Sequence, residues 1–455
     1  MQTAGSGLIC VSVLFSFLGT AGLVADDWPH WRGPGAVGVS NDTNLPERWS
    51  ATENVAWKAP IAGSGISTPV VAGGRVYVTS QIGGGVSREG PRLVQGGGAA
   101  AAGERALDTR AGDKDDGRTV FVVEAFRETD GKRLWEYRVE ADGPLPPVHD
   151  KHNLASPSPV TDGSRVFAWF GTGQIVALDR DGKLVWQRHL GKEMAPFEIN
   201  WGHSSSPTLH EDLLLLLCDH EPASYLLALD TRTGKERWKA DRGKGRVSYS
   251  TPLVVQTARR AEVIVNSSER IDAYDAKTGA LLWHAGSENR FPIPMPLFHD
   301  GVIYASRGYR SGPYMALRPG GRGDVSSSHL VWHVPTGAPY VSSLLHYQGL
   351  IYMATDNGIL TIADAADGSR VWQGRVGGVF SASPVAGDGK VYLQSETGET
   401  IVLRAGRDAE IIARNIIGER TLASMAIASG RIYLRSDEHL FCIGPDTASQ
   451  RPAGT

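Results

Sequence analysis

Short stretches of alternating apolar and polar residues recur along the chain after Trp49. One is Arg75-Val76-Tyr77-Val78-Thr79, and another is Ile175-Val176-Ala177-Leu178-Asp179. Alternation with a period of two predicts a β-strand that is buried on one face. Glycine-containing turns separate the stretches, so the sequence predicts an all-β protein built from many short strands.

The strands group into units that repeat one order. Most units open on a Ser that Pro follows directly or after one residue, and most close on a strand that carries a Trp. Self-similar units of four strands are typical of β-propeller blades. The units cover residues 67–135, 158–186, 206–238, 250–283, 294–332, 342–372, 383–413 and 424–443.

The first and last segments of the repeat region complement each other. The eighth unit stops after its third strand, at Leu440-Phe441-Cys442-Ile443, while Asn54-Val55-Ala56-Trp57-Lys58 is a last-strand sequence with no unit of its own. Pairing the two removes the open edge that a linear array would expose. The sequence therefore predicts a closed eight-bladed propeller over residues 54–443. The seventh unit ends on Ile411-Ile412-Ala413, without the Trp.

The turn before each Trp-bearing strand has its own chemistry. Asp230-Thr231-Arg232-Thr233-Gly234 and Asp275-Ala276-Lys277-Thr278-Gly279 share a design in which the Asp carboxylate accepts hydrogen bonds from backbone N–H groups of the turn. The Gly supplies a left-handed residue. We predict that the Trp side chains are structural and wedge between blades at the rim.

The segments outside the repeats predict export and peripheral structure. An apolar stretch from Leu8 to Leu18, followed by the small residues Ala21 and Ala25, is typical of a signal peptide. Residues 8–25 are also just long enough for an uncleaved membrane anchor, which is the alternative. We therefore expect a periplasmic or secreted protein with four further parts: a signal peptide at 1–25, an N-terminal arm at 26–53, a flexible Gly/Ala-rich loop at 83–117 within blade 1, and a disordered tail at 444–455.

Charge and cysteine content exclude some classes of site. The 455 residues carry a formal net charge of −3, which gives no reason to expect a nucleic-acid partner. The three cysteines, Cys10, Cys218 and Cys442, are far apart and form no Cys/His cluster. We expect Cys218 and Cys442 to be buried free thiols, and we expect no metal site.

The repeats resemble those of a known family. The units around Asp230…Trp238 and Asp275…Trp283 are similar to the tryptophan-docking repeat of quinoprotein alcohol dehydrogenases, and to that of the BamB-like propeller lipoprotein of the outer-membrane assembly machinery. The opening Trp28-Pro29-His30-Trp31-Arg32-Gly33-Pro34 looks like the start of secreted quinoprotein-like propellers of planctomycete-type bacteria. The resemblance implies the propeller fold over nearly the whole chain after the predicted signal peptide.

The family's enzymes hold pyrroloquinoline quinone (PQQ) above the central channel. The resemblance implies for them a calcium ion bound by carboxylate and amide groups, a catalytic Asp and often two adjacent cysteines. This sequence has no adjacent cysteines, and no local match places the calcium ligands or the Asp. We therefore expect no cofactor and no catalytic residues, with PQQ and calcium as the alternative.

Polar loops on one predicted face offer a ligand site. Loops from each last strand to the next first strand reach the same face as loops between second and third strands. Arg, His and Tyr side chains there suit a small anionic or carbohydrate ligand. The candidate residues are His152, His203, Arg246, Tyr249, Arg307, Tyr309, Arg310 and Tyr340.

Three functions remain open from the sequence. The first is an exported, non-catalytic and monomeric propeller that binds a ligand or serves as a scaffold for a periplasmic or envelope protein. The second is a PQQ-dependent dehydrogenase. The third is a role like that of the outer-membrane assembly propeller, which would bind extended chains.

Overall fold

The computed structural model describes residues 27–84, 87–88, 106–107, 118–309 and 311–445. Eight antiparallel sheets of four principal strands form a β-propeller, which confirms the predicted fold class. The predicted signal peptide at 1–25, Cys10 within it and Arg310 lie outside the described residues, as do most of the predicted loop at 83–117 and most of the predicted tail at 444–455. No helix in the described part of the chain is long and apolar enough to cross a membrane.

Each blade has a short inner strand followed by three longer strands. In blades 1 and 2 these are, in chain order, Val70–Ala72, Arg75–Ile82, Val120–Arg127, Arg133–Glu140, Val160–Thr161, Arg165–Trp169, Gln174–Asp179 and Leu184–His189. In blades 3 and 4 they are Thr208–His210, Leu213–Asp219, Ser224–Asp230, Glu236–Gly243, Leu253–Gln256, Ala261–Asn266, Ile271–Asp275 and Leu281–Ala285.

The second half of the ring repeats this pattern. The strands of blades 5 and 6 are Leu297–His299, Val302–Ser306, Tyr314–Leu317, Leu330–Val334, Leu345–Tyr347, Leu350–Ala354, Ile359–Asp364 and Arg370–Arg375. Those of blade 7 are Val385–Gly387, Lys390–Gln394, Glu399–Arg404 and Ile411–Ile416, and the inner three of blade 8 are Ala426–Ala428, Arg431–Arg435 and His439–Ile443. The described elements outside the blades are short: Pro34–Ala36, Ser87–Arg88, Ala106–Leu107, Val148–His149, Leu190–Glu193 and Gly323–Asp324.

The N-terminal strand closes the ring as predicted. Val55–Pro60 pairs antiparallel with His439–Ile443, with Trp57 opposite Cys442. Blade 8 is therefore assembled from both ends of the propeller region. Its inner strands and the inner strands of blade 1 share one buried apolar cluster with Trp57, so the join is packed like the rest of the core.

A tryptophan-docking contact links most neighbouring blades. The indole N–H of Trp186, in blade 2, donates to the carbonyl of Thr231 in the turn of blade 3 at 2.9 Å. Gly234 of that turn has φ +69°, and a Cβ there would lie 2.7 Å from the Trp186 ring. Equivalent donors join Trp57 to Glu128, Trp135 to Arg180, Trp238 to Ala276 and Trp332 to Ala365.

Blade 7 lacks its Trp for a physical reason. Ala413 pairs with Val402 at the Trp position. The third and fourth strands of blade 8 come from opposite ends of the chain, so blade 8 has no turn on which such a Trp could dock. Trp49 of the arm packs here instead, with its ring 6.4 Å from that of Tyr392 in blade 7. Its backbone N–H donates to Asn415 Oδ1 at 3.0 Å.

Blade 4 carries an additional short strand. Gly323–Asp324, from the turn of blade 5, pairs in parallel with Trp283 and His284 at the outer edge of blade 4. Trp283 is fully buried beneath this addition, and its indole N–H donates to Glu262 Oε2 of its own blade at 2.8 Å. Cys218 and Cys442 are buried free thiols, as expected.

Candidate functional site

A cavity of about 200 Å³ lies on the propeller axis. Its wall is formed by residues that precede the inner strands and by loops that connect successive blades. The lining combines hydroxyl, imidazole, ammonium and aromatic groups: Trp31, Ile66, Thr68, His149, Lys151, His152, Ser156, Ser158, Trp201, Ser204, Ser206, Tyr249, Thr251, Ile293, Tyr340, Val341, Ser381, Ser383, Leu422 and Ser424.

The N-terminal arm closes one end of the cavity. Asp27 and Pro29 of the arm hydrogen-bond to backbone N–H groups at the far ends of the inner strands of blades 1 and 2. The buried Arg32 guanidinium donates to the carbonyl of Pro384 at 2.6 Å and to that of Leu344 at 2.8 Å, which ties the arm to blades 7 and 6. Trp31, held between these anchors, lines the cavity from this end.

A ring of hydroxyl groups forms the wall. The backbone N–H of Thr68 in blade 1 donates to Ser158 Oγ of blade 2 at 2.9 Å, and Ser158 N–H donates to Ser206 Oγ of blade 3 at 2.9 Å. The same link recurs from Ser206 to Thr251, from Met295 to Ser343, from Ser343 to Ser383 and from Ser383 to Ser424. The Ser and Thr residues that open the units therefore hold neighbouring blades together around the axis.

One loop reaches across the other end of the cavity. The loop joins blades 1 and 2, yet Lys151 Nζ lies 2.7 Å from Glu396 Oε1 in blade 7. Ser381 Oγ donates to the same carboxylate oxygen at 2.6 Å. Burial raises the pKa of the nearby Asp356 carboxyl, against the opposing effect of Lys151. The cationic group of Lys151 therefore stands at the mouth with a compensating carboxylate.

Three buried polar atoms of lining residues have unused hydrogen-bonding capacity. His152 Nε2 and Trp201 Nε1 have no hydrogen-bond partner among the described residues, and the Tyr249 hydroxyl, whose oxygen contacts the Trp201 backbone N–H, has no acceptor for its proton there. Burial raises the pKa of the Tyr249 hydroxyl, so the group stays protonated. Buried polar groups are normally paired, so atoms of this kind mark a place where a ligand or water completes the bonding.

Three of the eight candidate residues line the cavity: His152, Tyr249 and Tyr340. They come from three different blade-to-blade loops. Burial lowers the pKa of His152 to about 3, with a smaller effect of His149, so its imidazole is neutral. Burial raises the pKa of Tyr340, and Tyr309 and Asp356 act in the same direction.

His203 lies behind the cavity wall and does not line it. Its side chain is 1% exposed, and its ring centroid is 4.1 Å from that of Trp169. Its Nε2 is 3.1 Å from the Ser205 carbonyl and must donate there, so Nδ1 accepts from His220 Nε2 at 3.0 Å. Burial holds the pKa of His203 well below its ordinary value.

The two described candidate arginines are engaged by internal partners. Arg246 forms ion pairs with Asp272 at 2.6 Å and with Glu269 at 2.9 Å. Arg307 is 2% exposed and donates to Asn266 Oδ1 at 2.9 Å, and burial lowers its pKa to about 10. Both brace the loops instead of facing the cavity.

Tyr309 contacts a lining residue but does not itself line the cavity. Tyr309 packs edge-on against Tyr340 with 5.4 Å between ring centroids, so it supports a lining residue from behind. Arg310 is outside the described residues. Sequence reasoning did not select Trp31, Lys151 or Trp201, although the sequence shows the last two in the same polar loops as His152 and His203.

A family model matches the repeats of this chain. The model, described as outer membrane protein assembly factor BamB, matches residues 119–311 and 269–450. This chain belongs to the PQQ-like repeat family of β-propellers. The fold and the tryptophan-docking contacts agree with that assignment.

The chain is also similar to one curated protein whose name describes an enzyme. The chain is 26% identical over 367 residues to a tetrathionate hydrolase of Acidithiobacillus ferrooxidans, a match that covers 75% of this chain and 65% of that protein. The chain therefore spans about 65% of the length of this curated relative.

Two solved structures show the same fold. A quinohemoprotein alcohol dehydrogenase from Comamonas testosteroni is 12% identical with a TM-score of 0.65, covering 94% of this chain and 82% of that one. BamB from Moraxella catarrhalis is 16% identical with a TM-score of 0.52, covering 70% and 88%. At these identities the similarity is one of fold.

Proposed function

We propose that the axial cavity binds a small ligand that carries an oxyanion. The observation that supports this proposal is the set of unpartnered polar atoms in the lining, two of which, Trp201 Nε1–H and the Tyr249 hydroxyl, are donors. A donor buried without an acceptor costs about 1–3 kcal/mol, so ligand oxygens that accept from these groups regain that energy on binding.

The hydroxyl ring favours the same chemistry. Ser158, Ser206 and Ser383 use their oxygens as acceptors for the backbone N–H of a neighbouring blade. An oxygen that already accepts keeps its own proton for donation. Several such protons around one lumen suit a ligand with several acceptor oxygens. Lys151 adds an ammonium group at the mouth, where it is paired with Glu396.

Aromatic and aliphatic groups give the cavity a second character. Trp31, Tyr340 and Leu422 present apolar surface between the hydroxyl groups. Sites of this mixed kind orient a ligand through a few polar groups while its body contacts apolar surface. We therefore favour an oxyanion attached to an apolar or polarisable body over a bare inorganic ion.

Calorimetric titration of the purified chain tests the proposal. Sulfate, benzenesulfonate and tetrathionate are the probes, and we expect binding that weakens about tenfold in Tyr249→Phe. Tyr225→Phe is the matched control because Tyr225 is also buried, at 4% exposed, and does not line the cavity. If none of the probes binds the wild-type chain, the proposal is wrong.

A second candidate function is hydrolysis of a polythionate. It is favoured by the 26% identity over 367 residues to a tetrathionate hydrolase. A polythionate has sulfonate ends on a polarisable sulfur chain and so belongs to the ligand class proposed above. Incubation with tetrathionate, followed by chromatography of the sulfur anions, tests this second function. Unchanged tetrathionate would contradict hydrolysis and leave only the proposal that the cavity binds an oxyanion.

The lining does not fit a calcium-bound quinone. Calcium takes about six to eight oxygen ligands, with carboxylates prominent among them. Among the described residues that line the cavity there is no Asp or Glu, and the nearby Glu396 carboxylate is bonded to Lys151 and Ser381. We therefore assign no step of the proposed function to this cofactor.

We further propose that the chain is exported. The apolar stretch from Leu8 to Leu18 supports this. N-terminal sequencing of protein from the cell envelope or medium tests it. We expect a new N-terminus shortly after Ala21 or Ala25, and an unprocessed chain in the cytoplasm would contradict the proposal.

A further inference from the structure

The protonation of His152 can be read from its neighbours. Its Nδ1 lies 3.2 Å from Ser156 Oγ. Ser156 Oγ has one proton, and it donates that proton to the Asn153 carbonyl at 2.7 Å. It follows that the proton in the Nδ1 contact belongs to the imidazole, because the hydroxyl has none left to give.

The opposite nitrogen of the ring is therefore a bare acceptor. A neutral imidazole with its proton on Nδ1 has a lone pair on Nε2. The imidazole is neutral because burial lowers its pKa to about 3. Nε2 is buried, has no hydrogen-bond partner among the described residues, and belongs to a residue of the cavity lining.

An acceptor in a site full of donors distinguishes between oxyanions. A fully deprotonated group such as a sulfonate offers only oxygen lone pairs, which repel the lone pair of Nε2 and leave it unpaired. An oxyanion with one O–H can donate to Nε2 while its other oxygens accept from donors of the lining. The free-energy cost of leaving the buried Nε2 without a hydrogen bond therefore weakens binding of the sulfonate relative to the protonated oxyanion.

We propose that His152 selects ligands whose oxyanion carries a hydrogen, such as a singly protonated phosphonate or phosphate ester, over fully deprotonated ones such as sulfonates. This inference rests on the proposed function, because it assumes that an oxyanion occupies the cavity. It assigns to His152 the role of a specificity-determining residue.

Phenylphosphonate and benzenesulfonate form a matched pair of probes. At a mildly acidic pH both are monoanions of nearly the same shape, and they differ by one hydroxyl hydrogen. We expect calorimetry to show that phenylphosphonate binds the wild-type chain about tenfold more tightly. In His152→Gln the ratio of the two affinities should fall towards one, because the Gln amide can donate an N–H to a sulfonate oxygen. His333→Gln, on the exposed outer strand of blade 5, should leave the preference unchanged.

The outcomes separate the two proposals. Equal binding of the two probes, or tighter binding of benzenesulfonate, would overturn the role of His152 while leaving oxyanion binding intact. Binding of neither probe would overturn both. A second measurement does not depend on a variant: the ¹⁵N chemical shift of His152 Nε2 in the wild-type chain should be that of an unprotonated ring nitrogen, and a protonated Nε2 would contradict the inference.

Discussion

Tyr249 combines burial with an unused hydrogen-bond donor. Its side chain is 6% exposed, and its hydroxyl donates to no acceptor among the described residues. The oxygen of this hydroxyl contacts the Trp201 backbone N–H, but its proton gains an acceptor only when something enters the cavity. A single atom thus links the stability of the fold to occupancy of the site.

Replacing Tyr249 by Phe should separate these two effects. The variant removes a hydroxyl proton that has no acceptor, but also the oxygen that contacts the Trp201 backbone N–H, so its free energy of unfolding without ligand should stay within about 1 kcal/mol of the wild-type value. Denaturant unfolding with and without benzenesulfonate measures this. The stabilisation given by the ligand should be smaller in the variant, and a larger loss of ligand-free stability would show that the role of the hydroxyl is mainly structural.

Residue types alone did not identify the lining. His152 and His203 occur in equivalent loops and look alike in sequence, yet one lines the cavity while the other bonds to His220 in the core. Arg246 and Arg307 are predicted as ligand contacts because arginine in a polar loop suits an anionic ligand. Their partners, the Asp272 carboxylate and the Ser267 carbonyl, belong to other segments, and no local pattern shows which segments will meet.

At the scale of elements, the turn and the Trp of adjacent blades act as one unit. Two separate constraints require glycine in the turn. Its φ is positive, which other residues rarely adopt, and the Trp ring that covers it leaves no room for a Cβ. This double requirement explains why the Asp-to-Gly turn and the Trp recur together. It also explains the loss of the Trp in blade 7, where the partner turn does not exist.

Gly234→Ala should therefore cost more than strain in the backbone. The control is Gly245→Ala, because Gly245 has φ +73° and a Cβ there would meet nothing within 4 Å. We expect the control to lose about 1 kcal/mol of unfolding free energy and Gly234→Ala to lose about 1–3 kcal/mol more, from the contact with Trp186. Equal losses in denaturant titrations would argue against the docking contact.

The elements themselves were largely predictable. Strand alternation and the Ser- and Pro-containing openings of the units depend on local sequence, so the blade order and the closing strand followed from them. Two features were missed because they depend on distant contacts. Trp49 fills the Trp position of blade 7 from the arm, and Gly323–Asp324 adds to the edge of blade 4, although the sequence marks it only as part of a long turn.

For the whole molecule, buried neutral histidines predict sensitivity to acid. Burial lowers the pKa of His152 to about 3 and those of His220 and His346 to about 4, against an ordinary value of 6.5. Between these values the unfolded chain binds protons that the folded chain does not. Stability is therefore complete above about pH 6.5 and falls as the pH decreases towards 4.

Denaturant midpoints measured across this pH range test the prediction. His346→Gln should flatten the dependence, by about 1 kcal/mol or more over the range, because it removes one buried imidazole, 8% exposed, that stacks on His299. The exposed His333→Gln should change nothing. An unchanged pH slope in His346→Gln would show that this ring is not a source of the acid sensitivity.

Two truncations distinguish the arm from the closing strand. A chain that begins at residue 54 keeps Val55–Pro60 and should fold with reduced stability, because Trp49 and Arg32 are lost. It should also lose ligand affinity, since Trp31 no longer closes the cavity. A chain that begins at residue 61 leaves the edge of His439–Ile443 unpaired and should aggregate. Circular dichroism and light scattering measure both results.

The composition of blade 8 from both ends of the propeller sets an order of events during biosynthesis. Val55–Pro60 leaves the ribosome before its partner His439–Ile443, and seven blades are made between them. No local contact can replace this pairing, so the ring stays incomplete until His439–Ile443 has been made. The two strand edges that close the ring therefore stay unpaired while seven blades are translated, and a stop codon that removes His439–Ile443 would leave the ring open.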